Sequence, residues 1–176
     1  MTIPFMRALV AHDLEAATRE MNAVIPAGMP GDLEHFLQFR LAQLDGDPSI
    51  RQWLGRAIVL TDHFGARRVI GTIGFHGPPD DEGRVEVSYR VEEAYRRQGY
   101  AREAIKALFD WATAEHGVRR FVASISPANE PSLRLAKGFG FRESGSHMDE
   151  IDGLELEFEA TWPEPEPGPA PIHDPG

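Results

Sequence analysis

Arg96-Arg97-Gln98-Gly99-Tyr100-Ala101-Arg102 lies between an alternating apolar stretch (Val85, Val87, Tyr89, Val91) and a run with helical periodicity. A strand that ends in a glycine-bearing turn and opens directly into a helix leaves several backbone N–H groups pointing one way, and the helix dipole adds partial positive charge. Such a joint can hold a pyrophosphate. Gly99 lets a ligand approach the backbone closely, and Arg96, Arg97 and Arg102 bring guanidinium groups to the same spot. The chain has a formal charge of −10 and spends its cations sparingly, so this clustering is a signal.

Four further residues have types suited to chemistry. Glu86 leaves its strand on the same face as Ser88 and Arg90, opposite Val85, Val87 and Tyr89, so it can point into a cleft. An alkylammonium has a pKa of about 10.4, and reaching the free amine near pH 7 costs about 4 to 5 kcal/mol, so a carboxylate or a water it holds must take that proton. The bland alternative is a salt bridge from Glu86 to Arg84 or Arg90. Asn129 and Ser132 open a helix, and capping is the plain reading for Asn129. His76, in Gly74-Phe75-His76-Gly77-Pro78-Pro79, ends a strand where a substrate could enter, although a histidine hydrogen-bonded in a turn is the commoner outcome.

The spacing Arg96-x-x-Gly99-x-Ala101 resembles the (Gln/Arg)-x-x-Gly-x-(Gly/Ala) signature of the GNAT acyltransferases. Glu86 before it, Asn129-Glu130-Pro131-Ser132 after the next strand and Gly140-Phe141 closing the following helix fall in that family's order, most like its Rim-like branch. The resemblance is strong over Arg84 to Phe141 and looser from Met6 to His76. It implies an N-acetyltransferase with acetyl-coenzyme A as co-substrate and residues 96 to 102 on the pyrophosphate. It also implies a backbone N–H of Val91 facing the thioester carbonyl, Asn129 on the pantetheine arm, Ser132 as donor to the leaving thiolate, and a carboxylate at Glu86. A strand bulge near Val91 is implied as well, splaying the sheet to make the slot for the cofactor arm. The sequence departs from the wider family at Ala136, where a tyrosine often protonates the thiolate, and this leaves the general acid unassigned. An acyl-coenzyme A binding or sensor module is the alternative reading. A dinucleotide-binding redox domain ranks below both, because Gly-x-Gly-x-x-Gly is absent.

Composition narrows the remaining classes. The 176 residues include no cysteine, which excludes disulfides, thiolate metal sites and cysteine nucleophiles. The histidines are dispersed without His-Glu-x-x-His spacing, so no catalytic metal is expected, and no Gly-x-Ser-x-Gly elbow is present. An isoelectric point near 5.1 argues against nucleic-acid binding and favours cationic partners. The acceptor is expected to be a primary amine, with protein N-terminus, polyamine, aminoglycoside and amino acid all open. No export segment or membrane span is read, and the expected compartment is the cytoplasm.

The resemblance implies a mixed α/β (α+β) domain: a mostly antiparallel sheet flanked by helices, with strands splayed around the coenzyme A slot. Expected strands are Phe5 to Ala11, Ala57 to Thr61, Val69 to Phe75, Arg84 to Val91, Phe121 to Ile125, Phe141 to Asp149 and Leu154 to Thr161, the last two joined by an Asp152-Gly153 turn. In the last strand, Glu155, Glu157 and Glu159 are expected to form an acidic, outward face. Helices are expected from Asp13 to about Val24, from a cap at Asp32 to Gly46, briefly around Ile50 to Gly55, from Ala101 to His116 with Gly117 as its end, and after Asn129. Residues 1–162 read as the single domain. Residues 163–176 read as a disordered, proline-rich tail with little to bury. The last hairpin is the candidate surface for pairing two copies.

Overall fold

Phe5, Met6, Ala8 and Leu9 are buried along one side of a helix, α1 (Ile3–Val10), where the sequence reads as a strand. The spacing of those four residues is helical. The Thr2 hydroxyl accepts from the Phe5 N–H at 3.2 Å, and Pro4 sits in the first turn, where its missing donor costs nothing. The computed structural model describes residues 1–149 and 153–163. The expected tail therefore lies outside the described residues except for Pro163, as does Asp152 of the expected turn.

Asp13 caps α2 (Leu14–Met21) through Ala16 N–H at 2.8 Å, and the helix stops short of Val24 because Asn22 takes a left-handed conformation. The next helix, α3 (Met29–Gly46), starts earlier than expected: Pro30 is its first-turn proline rather than a breaker. Asp32 is consequently a first-turn acid, and its carboxylate binds Arg90 at 2.6 Å. A 3-10 turn, Pro48–Gln52, replaces the expected short helix. Helices α1 to α3 bury Leu33, Leu37 and Leu44 with Phe5 and Leu9 in one apolar cluster.

The sheet comprises β1 (Arg56–Thr61), β2 (Arg67–Phe75), β3 (Arg84–Val91), β4 (Arg120–Ile125), β5 (Arg142–Asp149) and β6 (Gly153–Thr161). Their spatial order is β1-β2-β3-β4-β6-β5. Every neighbouring pair is antiparallel except β3 and β4. β1 separates two apolar clusters, with Ala57 and Val59 packing toward the first and Ile58 toward the second. The second cluster joins the sheet to α4 (Tyr100–His116) and α5 (Glu130–Gly138), with Phe109 stacked on Phe121 at 3.9 Å. Gly117 ends α4 in the left-handed region, as its sequence position predicts. Among the described residues, no helix is long and apolar enough to cross a membrane.

The β6 face differs from expectation: Glu159 binds Arg120 at 2.6 Å and Glu155 lies near His147 at 3.6 Å, while the apolar Leu154 is exposed. Glu159 answers the Arg120 cation on β4, so the acidic side chains do not form a purely solvated face.

Candidate active site

Parallel pairing between β3 and β4 covers Arg84 to Glu86 against Arg120 to Val122 and then stops. Beyond that point residues 87–91 and 123–125 have no ladder between them, although β3 stays in step with β2 as far as Val91 against Gly71. No register shift interrupts that β2–β3 ladder, so the slot arises from divergence of β3 and β4 and not from the bulge the resemblance implies. A cleft of about 510 Å3 fills the divergence, reaching Glu86 and His76 at one end and Asn129 and Ser132 on α5.

Glu86 is not paired with either arginine considered from sequence. Arg84 binds Asp80 at 2.9 Å and Arg90 binds Asp32 at 2.6 Å. Instead Glu86 Oε1 accepts from Ser124 Oγ at 2.7 Å, and Oε2 lies 3.2 Å from His76 Nδ1. Burial pushes the Glu86 carboxyl upward, but the hydrogen bond and charge of His76, with the Ser124 hydroxyl, outweigh it and hold the group below its ordinary value. Glu86 is thus a carboxylate at neutral pH. His76 and Glu86 stand out separately in the sequence; the β2–β3 register brings them together, with the His76 N–H bonded to the Glu86 carbonyl.

The end of β2 is fixed from outside the sheet. Arg40, on α3 and 4 % exposed, donates to the His76 carbonyl at 2.8 Å and to Gln43 Oε1 at 2.8 Å. Sequence reasoning missed Arg40 because it read that helix for its apolar face; the only available signal was a basic residue one position before Leu41 in an apolar-periodic run.

At α5, Asn129 Oδ1 accepts from the Ser132 N–H at 3.2 Å, which is the capping role. Tyr89 Oη donates to Ser132 Oγ at 3.0 Å across the cleft. Ala136 also lines the cleft and supplies only a methyl group. Val91 lies two residues past the lined part of β3 with its side chain buried.

The turn before α4 combines Arg97 at φ 59° with Gly99 at φ 90°, and the first intrahelical bond runs from Glu103 N–H to the Gly99 carbonyl. The N–H groups of Tyr100, Ala101 and Arg102 therefore have no intrahelical partner. A Cβ built on Gly99 would meet nothing within 4 Å, so open space faces this turn. The side chains divide the work. Arg96 Nε donates to the Val91 carbonyl at 2.9 Å, Gln98 Nε2 to the Ala94 carbonyl at 3.0 Å, and Arg102 to the Gly138 carbonyl at 3.3 Å, so these three brace the turn. Arg97 makes no hydrogen bond or ion pair among the described residues, and no cluster of three His, Asp or Glu side chains suited to a metal occurs among them.

A family model described as "Acetyltransferase (GNAT) domain" matches residues 5–142. An uncharacterized N-acetyltransferase, YjdG, of Bacillus subtilis is 30% identical over 101 residues, 57% of this chain and 56% of that protein. The chain spans about half the length of the curated relatives it matches. Among solved structures, a ribosomal-protein-S5-alanine acetyltransferase from Vibrio fischeri superposes with a TM-score of 0.59 at 17% identity, over 95% of this chain and 94% of the other. A spermidine N-acetyltransferase chimera built from Vibrio cholerae SpeG and hSSAT gives 0.56 at 15% identity, covering 89% and 91%. Likeness at these identities concerns the fold.

Proposed function

Since this chain belongs to the GNAT acetyltransferase domain family, we propose that it transfers an acetyl group from acetyl-coenzyme A to a primary amine, by direct attack within a ternary complex. The observation that carries this reading is the parting of β3 from β4, which opens a cleft lined by Glu86 on β3, Ile105 and Phe109 on α4 and Ser132 on α5. An extended thioester arm suits such a slot, because the freed strand edges offer backbone partners. The N–H groups of Tyr100, Ala101 and Arg102, with Arg97 beside them, suit the pyrophosphate. In this reading the Val91 N–H and Asn129 hold the pantetheine arm, and Ser132 faces the departing sulfur.

The free amine nitrogen attacks the thioester carbon, the carbonyl oxygen takes negative charge, the nitrogen gives up its second proton to solvent, and collapse breaks the carbon–sulfur bond to release thiolate. Before attack the ammonium must lose a proton, which costs about 4 to 5 kcal/mol near pH 7 if done in bulk water. Glu86, charged and backed by Ser124 and His76, holds the ammonium and supports that loss. Asp149 and Glu155 line the same cleft, so its polarity suits a cationic acceptor. Placing donor and amine side by side supplies much of the remaining advantage.

The alternative, an acyl-coenzyme A binding module without turnover, draws on Ala136, which offers no proton to the leaving group. A panel of protein N-terminal peptides, polyamines, aminoglycosides and amino acids, incubated with acetyl-coenzyme A and read by thiol release, separates the two. Amine-dependent thiol release is expected. Tight coenzyme A binding with no release for any amine would leave the binding module standing instead.

A further inference from the structure

Tyr89 lies on β3 and Ser132 on the first turn of α5, and their hydroxyls meet at 3.0 Å inside the cleft. A serine hydroxyl has one hydrogen and two lone pairs. A phenol is the stronger donor of the two, so the shared hydrogen belongs to Tyr89, and Ser132 Oγ receives it in a lone pair. The single hydrogen of Ser132 is then directed away from Tyr89. Ser132 N–H is already given to Asn129 Oδ1, which fixes the residue at the helix start, where the dipole favours negative charge. Burial raises the Tyr89 phenol above its ordinary value, more than the Ser132 contact lowers it, so Tyr89 remains a donor throughout the neutral range.

We propose that Tyr89 is a positioning residue for the leaving group: by donating to Ser132 Oγ it aims the serine hydroxyl hydrogen at the sulfur that departs from the thioester. This rests on the acetyl-transfer reading above. When the carbon–sulfur bond breaks, sulfur keeps the electron pair and the Ser132 O–H donates a hydrogen bond to the thiolate. No proton leaves Tyr89 or Ser132 in this step, and the thiolate is protonated from solvent after release. Ala136 contributes nothing to this task, and Tyr89 reaches the same region from the opposite wall of the slot.

A purely structural tie between β3 and α5 would be equally lost in Tyr89→Phe, so the test reads the sulfur itself. Coenzyme A is bound to wild type, Tyr89→Phe, Ser132→Ala and the double variant, and ionisation of its thiol is followed by the ultraviolet absorbance of the thiolate as pH is raised. The bound thiol is expected to ionise at lower pH in wild type than in free coenzyme A. Tyr89→Phe should move that midpoint up by about half to one pH unit, and Ser132→Ala by at least as much. The double variant should match Ser132→Ala, because Tyr89 acts through the serine. Acetyl transfer should slow in the same order, by up to about tenfold in Tyr89→Phe. An unshifted midpoint in Tyr89→Phe, or a further shift when it is added to Ser132→Ala, would overturn the inference while leaving acetyl transfer intact. Failure of wild type to bind coenzyme A by calorimetry would instead remove the function on which it rests.

Discussion

Arg40 donates to the carbonyl of His76 at 2.8 Å, so a buried cation on α3 sets the position of a residue that touches the Glu86 carboxylate. The His76 carbonyl links the helix to the cleft, with the Phe75 carbonyl 3.5 Å from the same guanidinium. Replacing Arg40 with Met keeps the packing volume but leaves the acceptors of His76 and Gln43 without their donor, at a cost of about 1 to 3 kcal/mol for such groups. Arg40→Met is expected to lower stability in urea by about 2 kcal/mol and to raise the acceptor KM as His76 relaxes. A variant as stable as wild type would mean that relief of the desolvated charge offsets the lost hydrogen bonds.

Glu86→Gln keeps size and much of the hydrogen bonding but removes the charge. Acetyl transfer is expected to fall by about 10² or more near pH 7 and to recover in part at high pH, where free amine accumulates, while coenzyme A affinity barely changes. If Glu86 only anchors the ammonium, the loss appears chiefly as a raised acceptor KM. Steady-state kinetics against pH distinguish these outcomes, and wild-type kinetics in the variant would exclude both roles.

The same substitution bears on acid stability. Because the folded carboxyl of Glu86 is held below its ordinary value, the folded chain binds that proton less tightly than the unfolded chain, whose glutamates titrate near 4.3. The stabilisation is complete above that pH and is lost as pH falls through the lower folded value. Urea unfolding should therefore show the advantage of wild type over Glu86→Gln shrinking as pH falls from about 5 through the lower folded value. A gap that widened on acidification would contradict the direction of the shift.

Gly99→Val places a branched side chain in the open space before α4, at a φ of 90° that L-residues rarely adopt. Coenzyme A affinity measured by calorimetry should drop at least about tenfold, or 1.4 kcal/mol. Circular dichroism is expected to report a folded protein of lower melting temperature, since left-handed geometry costs a side chain about 1 to 2 kcal/mol. Unchanged affinity in the folded variant would remove the turn from the donor site.

Trp162 Nε1 donates to Asp110 at 2.9 Å, and its ring meets Phe109 and Phe139. Trp162→Ala is expected to cost about 2 kcal/mol, below the roughly 3 to 5 kcal/mol of fully buried aromatic truncations, because the ring is only half-buried. Deleting residues 163–176 should leave melting temperature and coenzyme A affinity nearly unchanged, since that proline-rich composition has little apolar surface to bury. A large loss on deletion would extend the domain past Trp162.

Local signals in the sequence make much of the fold legible. The bounds of Arg84–Val91, the cap at Asn129 and the end of α4 at Gly117 follow from alternation, a side-chain oxygen and a left-handed glycine, each readable within a few residues. The short apolar run in α1 was ambiguous because Phe5, Met6, Ala8 and Leu9 satisfy a β-like composition as well as a helical period; Thr2 and Pro4 held the deciding information. Pairings across the sheet were out of reach for a different reason. His76 with Glu86, Arg40 with His76 and Tyr89 with Ser132 are 10, 36 and 43 residues apart, and they depend on strand register and helix docking rather than on local pattern. Tyr89 faces away from Glu86 along β3, yet both reach the cleft because the opening runs between the strands and admits side chains from either face.

Among the described residues, three pairs, Arg84 to Glu86 with Arg120 to Val122, are the whole backbone ladder joining β1–β3 to β4–β6. The molecule is in this sense two three-stranded leaves hinged along a short spine, with the spine at the centre of the sheet and not at its edge. Central amides, ordinarily the slowest to exchange with solvent, would here include a fast stretch at residues 87–91 on the side facing β4. A strand-like guest lying in the open length would lengthen the spine, so occupancy of the slot and rigidity of the whole sheet become one equilibrium.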